Sequence, residues 1–113
     1  MQLSHAVFWL VAAHFAVDYP LQGDTTAMRK SRHCKLPDIG VPWFYWLFAH
    51  AIMHGAAVLL ILESLPLALC ETVAHFLIDF LKCERVINIH VDQALHLACK
   101  VIWLLTYVTL LHG

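Results

Sequence analysis

Charge is what this sequence has least of. Only 13% of its 113 residues are charged, while 61% are hydrophobic. Soluble domains run near 25% charged and 45–50% apolar. A water-soluble fold of this size would have too little polar surface to cover itself. The composition therefore predicts an integral membrane protein. Seven basic residues stand against eight acidic ones, so the chain lacks the basic footprint of a nucleic-acid binder. The four cysteines, Cys34, Cys70, Cys83 and Cys99, form no C-x-x-C pair. That spacing argues against a disulfide framework and a Cys-only zinc site, and the thiols read as small buried hydrophobes. There is no G-x-S-x-G, no Walker sequence and no G-x-G-x-x-G. A basic n-region is also missing, and the first apolar run carries His14 and Asp18. Residues 1–20 are thus expected to be a retained span and not a cleaved signal.

Four hydrophobic segments remain, at about 3–21, 43–62, 65–81 and 91–111. Each approaches the roughly 17–25 residues that cross a bilayer as a helix. Residues 1–113 are expected to form one four-span domain. Arg29, Lys30, Arg32 and Lys35 lie in the first connection, residues 22–42, and Lys82 and Arg85 in the third. The second connection and both termini carry no Lys or Arg. The positive-inside rule then puts connections one and three in the cytoplasm and both termini outside, as in a bacterial inner membrane. Trp43, Phe44, Tyr45 and Trp46 suit an aromatic belt at the cytoplasmic interface.

Against this apolar background one motif is written twice. AHFAVDY carries His14 and Asp18, and AHFLIDF carries His75 and Asp79. The second and fourth spans carry His50-x-x-x-His54 and Asp92-x-x-x-His96. Residues four apart share a helix face. Counted from the cytoplasmic ends at ~1.5 Å per residue, His14, His50, His75 and His96 lie roughly 8–11 Å deep. Asp18, Asp79 and Asp92 count as nearer the surface, and His54 as one turn deeper. The fold expected is an all-α four-helix membrane bundle of two helical hairpins related by a pseudo-twofold axis. Ionisable groups inside membranes are costly and usually mark function. Glu71 and Lys100 count to one depth and are expected to pair. Gln22 and Gln93 flank the cluster, where they would orient a substrate or a ligating carboxylate.

Imidazole with carboxylate suits zinc first, and also manganese, iron or nickel. The first shell expected is His14, Asp18, His50, His54, His75, Asp79, Asp92 and His96, for one or two ions per chain. Helical bundles build di-metal sites from such pairs, and two-metal centres hydrolyse phosphoesters. Asp18, Asp79 or Asp92, or a metal-activated water, would then serve as base or nucleophile.

The ordered set HFAVDYPLQ, HAIMH, HFLIDFLK and DQALH resembles a small membrane-protein family of unknown function (the DUF3307 type) from bacteria and phages. The resemblance covers about residues 14–96 and implies no assigned activity. A more distant likeness, in residue types alone, is to membrane-bound metal-dependent hydrolases. The leading expectation is a metal-binding membrane protein that hydrolyses a lipid-like phosphoester, with membrane lipids as its partners and no nucleic acid. The alternatives are an oligomeric proton or cation channel, and a structural or regulatory membrane protein of phage or host-defence type whose polar core only fixes packing.

Overall fold

The computed structural model describes residues 2–111 and is all-helical, with no strand among the described residues. Five α-helices follow one another: α1 Leu3–Asp18, α2 Gly23–Arg29, α3 Trp43–Leu62, α4 Leu65–Cys83 and α5 Ile89–Thr106. A π-helical turn, Tyr107–Leu111, extends α5.

Local chemistry explains the boundaries. The first apolar run ends its helix at Asp18 and not at Leu21, because Pro20 follows Tyr19 and cannot continue the ladder. Gly23 then adopts φ +71° and starts α2 inside the connection that reads as loop. Pro42 caps α3 from an extended conformation, and Glu63 ends it in the left-handed region. Ser64 caps α4 through its side chain, with Pro66 in the first turn. Asn88 caps α5 by accepting from Val91 N at 2.9 Å, so α5 begins two residues ahead of the apolar run.

α3 packs on α4 and α1, and α5 packs on α4 and α1. The interior divides along its length. Ala6, Leu10, Val58, Leu62 and Leu67 form an apolar cluster at the end of the Glu63–Ser64 turn. Histidines and carboxylates fill the other end. Among the described residues, twelve polar or charged ones are buried, against nine hydrophobic ones. Outside, the order inverts: Phe8, Trp9, Leu60, Leu69, Val73, Leu105 and Leu110 are all exposed, Leu60 by 80%. Two helices, Trp43–Leu62 and Ile89–Leu110, are long and apolar enough to cross a membrane. α1 is apolar but shorter, and α4 carries Glu71, Asp79 and Lys82. The cysteines are not core residues: Cys70 is exposed, the other three are half-buried, and all four are free thiols.

α3 and α4 approach closely at Gly55. A Cβ there would fall 1.9 Å from Thr72 Oγ1 and 2.8 Å from the Ala68 carbonyl oxygen. Small residues permit such approaches between apolar helices. The hydroxyl can rotate away, but the backbone oxygen cannot. Gly55→Ala is expected to lower stability by about 1–3 kcal/mol, the usual range for overpacking. Thermal unfolding in detergent checks this, and an unchanged midpoint would refute the close packing.

Candidate metal centre

Each element delivers a pair of polar groups to one buried volume. α1 brings His14 and Asp18, α3 His50 and His54, α4 His75 and Asp79, and α5 Asp92 and His96. All eight are buried. The imidazoles of His54, His75 and His96 form a stack, with centroids 3.6 Å apart for His54 and His75 and 3.9 Å for His75 and His96.

Two carboxylates receive this array. Asp18 Oδ1 lies 2.9 Å from His54 Nε2, 3.1 Å from His50 Nε2 and 3.6 Å from His75 Nε2. Asp79 Oδ1 lies 3.1 Å from His96 Nε2, and Asp79 Oδ2 lies 3.4 Å from His50 Nε2 and 3.5 Å from His75 Nε2. His54, counted one turn below the other histidines and two turns below Asp18, nevertheless touches Asp18. Depth counting assumed that the apolar runs and the helices end together. α1 stops three residues before its run does, so Asp18 sits in the last helical turn, turned inward.

Two sets of groups could each hold a metal ion. The first is Asp18, His50, His54 and His75, and the second is His75, Asp79 and His96. His75 belongs to both. His14 and Asp92 fall outside these sets, although both are expected ligands. Gln93 explains His14: its Oε1 accepts from His14 Nε2 at 2.9 Å, which leaves His14 3.5 Å from Asp18 Oδ2. The Gln93 amide also donates to Asp18 Oδ2 and Asp92 Oδ2, at 3.0 Å each. Asp92 Oδ1 stands 3.2 Å from His96 Nε2 with no hydrogen bond of its own.

A second layer supports the first. Lys100 donates to Glu71, the pair expected from counting along the two helices. Trp103 Nε1 donates to Glu71 Oε2 at 2.7 Å, and His75 Nδ1 reaches Glu71 Oε1 at 3.3 Å. Glu71 is a carboxylate and accepts only, so His75 donates through Nδ1. This fixes its tautomer. Gln22 Nε2 donates to the backbone oxygen of Asp18 at 3.1 Å.

One residue of the cluster is absent from the sequence reading. Lys30 counts among the cytoplasmic loop charges, yet it is 2% exposed. Its Nζ donates to Asp79 Oδ2 at 2.8 Å and to Gln22 Oε1 at 2.6 Å. The short α2, which Lys30 caps at its C-terminus, turns it inward. Of the remaining basic residues in the connections, Arg32, Lys35 and Arg85 are exposed and Arg29 and Lys82 half-buried. Arg32 and His33 meet Glu84, and the hydrogen bond from Arg32 holds the Glu84 carboxyl below its usual range.

Fold and site together define an all-helical protein with a buried His/Asp cluster capable of holding a metal. The chain belongs to the family described as "Protein of unknown function (DUF3307)", which it matches over residues 6–112. No curated protein and no solved structure matches it.

Proposed function

We propose that this chain is a single-domain, four-span membrane protein that holds a divalent transition metal, zinc first, in its His/Asp cluster. The observation that carries the reading is His75 Nε2. It is buried without a hydrogen-bond partner, and its ring donates from the other nitrogen to Glu71. A neutral imidazole in that tautomer aims a lone pair at Asp18 and Asp79, two acceptor-only groups. A divalent ion held by both carboxylates would satisfy that nitrogen, and a proton on Nε2 is the competing outcome that the metal measurement separates. Charge supports the same view. Asp18, Glu71, Asp79 and Asp92 are buried with only Lys30 and Lys100. With neutral imidazoles, four carboxylates against two ammonium groups leave two excess negative charges. One divalent ion balances them, and unbalanced buried charge is costly.

The membrane setting rests on the inverted distribution of polarity. A polar interior inside an apolar exterior suits lipid as solvent. α1 and α4 would run one way and α3 and α5 the other, as two pseudo-twofold hairpins. The apolar cluster of Ala6, Leu10, Val58, Leu62 and Leu67 fills one end, which favours a one-sided cavity over a pore.

Bound there, a divalent metal would supply Lewis acidity for hydrolysis of a phosphoester on a lipid-like substrate. Asp18 and Asp79 would anchor the ligand set, Gln93 would fix the orientation of Asp18 and Lys30 that of Asp79, and Asp92 Oδ1 is free to accept a proton. The test is metal content by mass spectrometry on detergent-purified protein, wild type beside His75→Ala, with alkyl p-nitrophenyl phosphate assayed on both. About one transition metal per wild-type chain and none in the variant is the expected result. A folded, metal-free wild type would sink the reading.

A further inference from the structure

We infer that Lys30 is a tethered cation on the carboxylate that a second metal ion would need, and that the chain becomes a two-metal protein only when this ammonium is removed. The inference rests on the proposed metal reading and deepens it.

The two halves of the cluster are built on one motif but are finished differently. In the first half, Asp18 Oδ2 receives the neutral amide of Gln93 at 3.0 Å. In the second half, the matching carboxylate, Asp79, receives the Lys30 ammonium on Oδ2 at 2.8 Å. A full positive charge thus occupies the second half and has no counterpart in the first.

The second half otherwise has what a metal needs. Asp79 and His96 meet at 3.1 Å. Asp92 Oδ1 lies against the same His96 nitrogen, is buried and has no hydrogen-bond donor. An unpartnered carboxylate oxygen in such a place points to a cation. Asp79 and His96 belong to a close donor set, and Asp92, which lies against His96 but outside that set, would have to move inward to complete carboxylate, carboxylate and imidazole ligation of a divalent transition metal. If an ion in the first half takes the shared His75, these three groups remain for a second ion.

Lys30 is held firmly in that place. Gln22 Oε1 accepts from it at 2.6 Å, while the Gln22 amide donates to the Asp18 backbone. The start of α2 and its end are thereby tied to opposite halves of the cluster. Charge then sets the stoichiometry. One divalent ion balances the two excess negative charges of the buried groups. A second ion beside Lys30 would leave two excess positive charges in apolar surroundings, which is strongly unfavourable. With a neutral residue at position 30, the excess is three negative charges: one ion leaves one negative charge and two leave one positive, so charge no longer bars the second ion, and Asp79 Oδ2 is free to ligate.

The experiment is a Co²⁺ titration of the full 113-residue chain in detergent. Bound ion would be read by visible absorbance and stoichiometry by mass spectrometry. Wild type is expected to saturate at one equivalent, Lys30→Met at two, and Lys30→Arg at one. Mn²⁺ loaded into Lys30→Met should give the spin-coupled resonance of a metal pair, absent from wild type. Should Lys30→Met fail to fold, Lys30→Gln carries the same expectation. Two equivalents in wild type, or one in the folded neutral variant, overturn the inference while leaving the metal reading intact. No bound ion in wild type overturns the metal reading itself and this inference with it.

Discussion

Lys100→Met is expected to destabilise the protein by about 3–5 kcal/mol, the usual result of removing one partner from a buried ion pair. Lys100 is 5% exposed and donates to Glu71, which is 1% exposed. Without the ammonium, Glu71 keeps only Trp103 and His75 as donors, and its charge stays in an apolar setting. Water cannot reach it to compensate. The double variant Glu71→Gln/Lys100→Met removes both charges and is expected to recover most of the loss. Reversible unfolding in mixed detergent would measure both variants. A single variant as stable as wild type would mean that the pair contributes nothing to folding.

Asp18→Asn is expected to weaken metal binding more than any change in the outer layer. Asp18 Oδ1 faces Nε2 of His50, His54 and His75, so it stands at the centre of the first set of donors. An amide keeps the shape but loses the charge that offsets a divalent ion. Glu71→Gln/Lys100→Met, which removes the ion pair whole, changes the partner of His75 Nδ1 without leaving a lone buried charge and is expected to cost about 10–100-fold in affinity, as outer hydrogen bonds do. Competition against a zinc chelator would rank the two. If Asp18→Asn stays within tenfold of wild type, the ion is not centred on Asp18.

The features readable from sequence are those that local rules govern. The bounds of α3 follow from Pro42 and the end of the apolar run, and α4 starts where Ser64 and Pro66 say it should. The gathering of His14, His50, His75 and His96 followed from counting along helices, because a helix converts sequence distance directly into depth. Counting failed at His54 and Asp18, where it needed helix ends that composition does not fix. Lys30 was illegible for a different reason. Its position depends on a seven-residue helix in a polar loop, and on a partner 49 residues away. Gln93 showed only as a polar residue near the interface; its three contacts come from α1 and its own helix neighbour, and no local pattern encodes them. The cysteines lie outside the core because the helices of this chain expose apolar residues as readily as they bury them.

The two-residue turn between α3 and α4 also bears on the order of assembly. These helices are adjacent in sequence and pack directly on one another. Between them they carry His50, His54, His75 and Asp79, and the stacked pair His54–His75 forms within this hairpin alone. Contacts between sequence neighbours close with the least loss of chain entropy. The hairpin is therefore the natural nucleus of the fold. α1 and α5, each bearing a carboxylate and a histidine, would dock against it later, and their charged groups would find partners already in place.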